Sequence, residues 1–406
     1  MVEVSIIIPS RNRYPLNLLT LFSLEKQTFD LSKMEVILID DGSADDTPLL
    51  KHYHPPFPFR YVRNEKNIGL SATRNKGLMM AKANIIIFLD AEMIVDPSYV
   101  KNQYQYHLTE EQLVVVGRNI PRIITYLFPE FNSSQIDIIC RMAEEKPAVK
   151  QLISQKLPQY KNSFDLPNLI KNLQEPLQLL NQSDINNSPL VQSFSYPYNY
   201  YEDLYRQLEV LDTQYLSWWA LFGSNHSLNK KLIEMVGGYE EGFKGWGIED
   251  VEFAYRLYKA GAKFVFDPDS FLYHQEHPIH SGKVQEGSRN RVLFQRKHPV
   301  IEVCIRSLRY VGKLDLQFVD SVLREHELLC NSFPGLFADF KNTVVLLLQQ
   351  IQFLKLQEQP VCNFLKNAGI ENDTRLKQAI YQERDIIAAY GKFGSLVQLF
   401  DLLANN

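Results

Sequence analysis

Ile85-Ile86-Ile87-Phe88-Leu89-Asp90-Ala91-Glu92 is a run of five apolar residues, three of them β-branched, closed by a pair of acids around one alanine. A short apolar run without polar alternation reads as a strand buried on both faces, as at the centre of a parallel sheet. In an extended chain residues 90 and 92 point to the same side, so their carboxylates can meet one hard cation such as Mg²⁺ or Mn²⁺. The competing reading is a solvated acidic turn.

Outward from this run, Val4 to Ile8, Glu35 to Ile39, Phe59 to Val62 and Leu113 to Val116 are further strand-like runs, separated by helix-like segments. That alternation predicts an α/β sheet covered on both faces. Ligands of such sheets bind beyond the carboxyl ends of the strands, which directs attention to Pro9-Ser10-Arg11-Asn12, Asp40-Asp41-Gly42-Ser43 and Asp90-Ala91-Glu92. Asp40 and Asp41 can accept hydrogen bonds from a base imide or ribose hydroxyls, or simply form a turn. Asn67 to Gly77 offers a glycine turn, a capping hydroxyl and a helix carrying Arg74. That guanidinium can face a diphosphate or pair with one of the aspartates.

From about Ile123 to Tyr215 leucine-spaced helical segments are broken by Pro147, Pro158, Pro167, Pro176 and Pro189, the pattern of a helical insertion. Strand-like structure resumes at Trp218 to Phe222 and at Lys263 to Phe266. After about Val300 the chain reads as amphipathic helices. The expected organisation is therefore a domain over 1–299, with an insertion at about 123–215, and a helical region over 300–406.

Gly245-Trp246-Gly247-Ile248-Glu249-Asp250 sets two acids at a glycine-flanked turn. Val251, Ala254, Tyr255 and Tyr258 then repeat at helical spacing, and Gly261 falls at a left-handed cap. Acids in a first helical turn commonly complement orphan amides and the dipole. Trp246 between two glycines is costly in backbone entropy and implies a close approach by backbone or ligand. His274 lies just beyond the strand at Lys263 to Phe266, where it can join a metal site; an imidazole beside carboxylates suits Mn²⁺ better than Mg²⁺. With His277 and His280 nearby, the alternative is an exposed histidine-bearing loop.

The 406 residues are 45% hydrophobic and 22% charged with a net charge of −4, and there is no basic run of the kind that tracks phosphates. Nucleic acid is therefore excluded as a partner. Cys140, Cys304, Cys330 and Cys362 have no zinc-type spacing and read as free thiols. With no signal-like N-terminus and no apolar run long enough to span a bilayer, a cytoplasmic setting is expected.

Ile6-Ile7-Ile8-Pro9-Ser10-Arg11-Asn12-Arg13, Ile39-Asp40-Asp41-Gly42-Ser43, Asn67-Ile68-Gly69 with Ala72-Thr73-Arg74-Asn75, and Phe88-Leu89-Asp90-Ala91-Glu92 resemble, in order and spacing, the successive motifs of family-2 glycosyltransferases. Phe222-Gly223-Ser224-Asn225, Gly237-Gly238-Tyr239 and Gly245 to Asp250 resemble the acceptor half of β-1,4-galactosyltransferases, polypeptide N-acetylgalactosaminyltransferases and bacterial chondroitin-type polymerases. The resemblance covers roughly residues 2–122 and 216–280. It implies a glycosyltransferase-A fold with a mixed sheet that binds a nucleotide sugar, usually a uridine diphosphate sugar, through Mn²⁺ or Mg²⁺.

Carried over residue by residue, Pro9, Arg11, Asp41 and Arg74 surround the nucleotide, and Asp40, Asp90, Gly223, Asn225 and Trp246 complete the nucleotide-sugar-binding set. Asp90 and Glu92 are the acid-x-acid metal motif, with His274 as third ligand. Asp250 is the base that deprotonates the acceptor hydroxyl, and Glu249 contacts donor or acceptor sugar. Glu92 stands where aspartate is more usual, which changes reach or metal preference. Retaining relatives carry Asn where this chain has Asp250, so inversion is expected. The acceptor is a glycan, a lipid-linked saccharide or a peptide, peripheral membrane contact is open, and the oligomeric state is unspecified. The alternatives are a non-catalytic nucleotide-sugar-binding scaffold and a sugar-nucleotide pyrophosphorylase, whose glycine-rich, lysine-containing N-terminal loop this chain lacks.

Overall fold

Strands β1 (Val4–Ser10) and β2 (Met34–Asp40) are buried along their whole length, as expected of apolar runs sandwiched between layers. With β3 (Phe59–Arg63) and β4 (Ile85–Phe88) they pair in parallel, in the order β4-β1-β2-β3. Next come β5 (Met93–Val95), β6 (Leu113–Asn119), β7 (Arg122–Ile123), β8 (Tyr126–Leu127), β9 (Leu177–Gln178), β10 (Ser195–Tyr196), β11 (His226–Asn229) and β12 (Lys263–Gln275). Among the described residues one ten-stranded sheet runs β10-β7-β12-β6-β11-β4-β1-β2-β3, with β5 against β12; β8 and β9 pair apart from it. Because β11 is antiparallel to both β4 and β6, the sheet is mixed. The computed structural model describes residues 1–161, 165–211, 213, 215–221, 223 and 225–406.

Two expectations for strands fail. Trp218 to Phe222 is not a strand: Ser217–Ala220 is a 3₁₀ turn in which Trp218 is fully buried, its ring 5.1 Å from that of Tyr255, while Phe222 lies outside the described residues. The strand comes later, at β11, whose His-Ser-Leu-Asn sequence carries almost no β signal and is buried by its neighbours. β12 does not stop at Phe266 either. It continues to Gln275 through a register shift between Asp267 and Phe271, so His274 stands on a strand and not in a loop.

The chain forms two compact units. The first is Met1–Tyr205 with Trp218–Gly242 and Glu249–Ser281, and holds the sheet. Around it lie α1 (Leu16–Leu24), α2 (Leu70–Met80), α3 (Tyr99–Tyr106), α4 (Ser133–Glu145), α5 (Pro147–Lys156), α6 (Leu166–Lys171), α7 (Ser188–Phe194), the start of α8 (Asn199–Leu211), α9 (Lys230–Val236) and α10 (Glu249–Lys259). One core packs the β1, β2 and β4 side chains Ile6, Val36 and Ile87 with Leu21 of α1. A second core, built on Ile94, Ile123 and Leu127 with Ile136, Ile153 and Phe194, anchors the helical insertion. Each such buried aliphatic side chain contributes about 1.5–3 kcal/mol. Pro147, Pro167 and Pro189 open helices at their first positions, where a missing N–H costs nothing, so they punctuate the insertion by starting helices.

The second unit is Arg206–Ser217 with Phe243–Ile248 and Gly282–Asn406. Its helices are α11 (Lys283–Lys297), α12 (Ile301–Cys304), α13 (Leu316–Ser332), α14 (Ala338–Leu356), α15 (Phe364–Asn367), α16 (Thr374–Ala389) and α17 (Gly394–Ala404). α14 carries the most apolar run of the region, and its Val344, Leu347, Leu348 and Ile351 are core residues. Among the described residues no helix is long and apolar enough to cross a membrane.

Candidate active site

Two groups of polar side chains gather beyond the carboxyl ends of β1, β2 and β4. The first centres on Arg74 in α2, whose side chain is 1% exposed. Its guanidinium donates to Asp90 Oδ1 at 3.1 Å and to Glu249 Oε1 at 3.0 Å, and lies 5.0 Å from the centre of the Tyr239 ring. Of the two roles open to Arg74, pairing with acids is therefore the one observed. It ties the end of β4 to the first turn of α10, 175 residues away in sequence.

α10 begins where expected, with Glu249, Asp250 and Glu252 in its first turn, and it closes on Gly261 at φ 87°. Asp250 accepts from its own helix, Val251 N–H at 2.7 Å, and from Gly223 N–H at 2.6 Å. A Cβ on Gly223, itself at φ 43°, would sit 3.3 Å from Asp90 Oδ2 and 3.9 Å from Asp250 Oδ2, so the two aspartates converge on one glycine. Glu249 is buried and its Oε2 has no hydrogen-bond partner among the described residues. Burial, and then the neighbouring Asp250 charge, push its carboxyl up to about 7 against the pull of Arg74. Tyr239 stacks on Phe253 at 4.3 Å and its hydroxyl meets His226 Nε2 at 3.1 Å. Burial, with Arg74 nearby, pushes that imidazole down to about 3, so it is neutral.

The second group is Glu92, His274 and His277, whose ligating atoms all lie within 4.8 Å of one another. Residues 90 to 92 form a tight turn in which Met93 N–H returns to Asp90 C=O, and not the extended chain expected from the sequence. The two carboxylates consequently diverge, Asp90 toward Arg74 and Glu92 toward His277 Nε2 at 3.3 Å and Arg13 Nε at 3.1 Å. Burial alone would raise the Glu92 carboxyl, but the Arg13 charge, and then the hydrogen bond from His277, hold it well below the usual range.

This donor set fits a divalent cation. His277 Nδ1 lies 2.9 Å from the carbonyl of Pro278, an acceptor that can take its proton and leave Nε2 available to a cation, the usual outer support of a ligating histidine. Burial and the adjacent Arg122 hold His274 well below the normal imidazole range, so it is neutral as a ligand must be. His274 Nδ1 accepts from Arg122 at 2.9 Å, and Arg122 also lies 3.5 Å from Glu276, a second carboxylate to which it can turn. One carboxylate and two imidazoles suit Mn²⁺ better than Mg²⁺.

The other expected site residues are placed as follows. Pro9 is buried at the end of β1, and Arg11 is exposed in the bend after it. Asp40 accepts from Ser43 N–H at 2.8 Å and Tyr61 Oη at 2.6 Å; Asp41 accepts from Asn64, Ile68 and Gly69 at 2.8–3.0 Å. Both therefore brace the loops after β2, the turn-forming alternative. Asn225 is fully buried beside Gly117, and neither end of its amide has a partner among the described residues; Ser224 lies outside them. Trp246 belongs to the second unit. There Gly245 and Gly247 take φ 73° and 89°, Glu286 accepts the Trp246 N–H at 2.9 Å, and Lys283 Nζ lies 4.1 Å from the indole centre. The close approach that the flanking glycines implied is thus made by Glu286, since a Cβ on Gly245 would lie 2.5 Å from its carboxyl carbon. The link between Trp246 and a sugar rests on the resemblance alone.

Sequence reasoning missed Arg13, Arg122 and His277. His277 follows His274 by three residues and was legible only as a loop histidine; the two arginines meet their partners across 79 and 152 residues, where no local pattern reports contact.

Comparison with known proteins finds two family models and several similar chains. A model described as "Glycosyl transferase family 2" matches residues 5–167, and one described as "N-terminal domain of galactosyltransferase" matches residues 203–278. The chain is 26% identical over 337 residues to the uncharacterized glycosyltransferase YfnE of Bacillus subtilis, covering 82% of this chain and 79% of that one. It is 27% identical to the hyaluronan synthase of Pasteurella multocida over 82% of this chain, but spans only 30% of that larger protein. Among solved structures, Staphylococcus aureus TarS 1–349 in complex with UDP-GlcNAc aligns over 99% of this chain and 90% of its own, with a TM-score of 0.46 and 14% identity.

Proposed function

We propose that the chain is a family-2 glycosyl transferase that moves a sugar from a UDP-sugar to an acceptor hydroxyl with a divalent cation and inversion at the anomeric carbon. The observation that carries the reading is the Arg74 bridge: one buried guanidinium joins Asp90, at the end of β4, to Glu249, beside the candidate base Asp250. One family model ends at residue 167 and the other begins at residue 203, both within the insertion, and this ion pair draws a residue from each matched stretch into one site.

In this mechanism Asp250 takes the acceptor proton, its oxygens aimed by the Gly223 and Val251 amides. Each oxygen keeps a second lone pair for the acceptor O–H. Arg74 and Glu249 position that carboxylate and Asp90. Arg11, exposed after β1, and Arg13, on Glu92, are the cations assigned to the diphosphate. Glu92, His274 and His277 would hold the cation, and the acid-x-acid resemblance assigns Asp90 to the same ligand set. Such a cation supplies charge stabilisation to the leaving diphosphate. The acceptor is assigned to the glycan, lipid-linked saccharide or peptide class, in the cytoplasm, where the four free cysteines stay reduced.

The test is the anomeric configuration of the product, read by NMR with a donor of known configuration. Inversion supports Asp250 as the base. Retention removes it from that role. No specific observation favours the scaffold alternative.

A further inference from the structure

On the opposite face of β12 from His274 lies a groove of about 490 Å³ that the proposed chemistry does not use. Its size falls within the roughly 300–1,000 Å³ of small-molecule sites. The floor is Phe271 and Tyr273 of β12, their rings edge to face at 4.9 Å. Strand alternation puts Leu272 and His274 on one face, and Phe271 and Tyr273 on the other. One wall is Asp96, Ser98 and Asn102; Asp269 sits at the rim, and Ser188 and Gln192 of α7 supply the wall contributed by the insertion.

The groove is built and braced. The register shift in β12 between Asp267 and Phe271 re-aims the two rings, and buried Asp267 fixes the shift by accepting from Asp269 N–H, Tyr106 and Ser270. Asn102 Nδ2 donates to Asp269 C=O at 2.8 Å and Ser98 Oγ at 3.1 Å, while Asp96 Oδ1 accepts from Ser98 N–H at 2.9 Å. These bonds leave Asp96 Oδ2 and Asn102 Oδ1 without hydrogen-bond partners among the described residues, both acceptors suited to hydroxyl groups. No lysine, arginine or histidine lines the groove among the described residues. Two carboxylates without a cation repel phosphate, nucleotide and uronate. Flat aromatic faces beside hydroxyl-accepting groups suit the C–H face and hydroxyls of a pyranose.

We propose that this groove binds an uncharged oligosaccharide, holding a stretch of glycan apart from the reaction centre. The inference rests on the glycosyltransferase reading only for the choice of saccharides as ligands. The test is saturation-transfer NMR and calorimetry on the full chain with cellotriose, the N-acetylglucosamine trisaccharide and a uronate-containing tetrasaccharide, in parallel with UDP and Mn²⁺. The variants are Phe271→Ala and Ser188→Trp, the latter filling the groove from an exposed helix position.

Binding of at least one neutral trisaccharide is expected, weakened about tenfold by Phe271→Ala, as for the loss of one aromatic contact, and more by Ser188→Trp, with UDP binding unchanged. Ser188→Trp decides the matter if Phe271→Ala does not fold. Absence of neutral-saccharide binding, binding indifferent to Ser188→Trp, or preference for the uronate overturns the groove. Loss of UDP binding with saccharide binding intact instead overturns the donor reading and leaves the groove standing.

Discussion

Glu249 is an acid whose folded environment resists its charge. Its carboxyl stands at about 7 in the fold against 4.5 for the free side chain, so between those values the folded chain holds a proton that the unfolded chain has released. The sign follows: this residue's contribution to stability falls as pH rises from about 4.5 through 7. Melting temperatures of the native chain measured from pH 5 to 8 should therefore decline more steeply than those of Glu249→Gln; an equal slope in both would remove Glu249 as the cause. Asp250, next in sequence, is the residue whose loss should end catalysis. Asp250→Asn is expected to lower turnover about 10²–10⁴-fold, the usual cost of removing a general base, with little change in donor binding by calorimetry. His277 stands apart from the sequence-derived ligand set, and its test is direct. His277→Ala should weaken Mn²⁺ binding at least about tenfold, read by electron paramagnetic resonance of free Mn²⁺, whereas His280→Ala, at an exposed position, should not.

Among the elements, legibility tracked burial. β1, β2 and β4 announced themselves because strands buried on both faces must be apolar throughout, and α10 did so because its buried stripe keeps helical period and ends on Gly261. β11 was invisible, since a strand of His-Ser-Leu-Asn is held by its two neighbours rather than by its own propensity. The extension of β12 was hidden by Pro268 and the register shift beside it. In the site, acids and turns could be read from local spacing, while Arg13, Arg122 and the outward swing of Glu92 depend on contacts made only after folding. The glycine-flanked turn was legible as strained but not as to its cause. Asn290 Nδ2 in α11 donates to Lys244 and Gly247 C=O at 3.0 and 2.8 Å, and Glu286 fills the space beside Gly245. Gly245→Ala should consequently cost about 1–2 kcal/mol in chemical denaturation, from its left-handed backbone together with displacement of Glu286.

For the whole molecule, the second unit is discontinuous in sequence, and Arg206–Ser217 belongs to it although it precedes β11. Within that unit Thr213 and Arg324 donate to buried Asp320, the latter at 2.6 Å, and Tyr215 donates to Glu327. Native-state hydrogen exchange should accordingly find residues 206–217 protected in step with α13, and Asp320→Ala should lower the opening free energy of both by about 1–3 kcal/mol. The central claim is a metal-dependent UDP-sugar transferase acting through Asp250, and release of UDP from a panel of UDP-sugars tests it most directly. Release from at least one donor with Mn²⁺ is expected, abolished by chelation and by Glu92→Gln, and reduced at least about a hundredfold in Asp250→Asn. Release from no donor, or undiminished release after chelation and in Asp250→Asn, would contradict it.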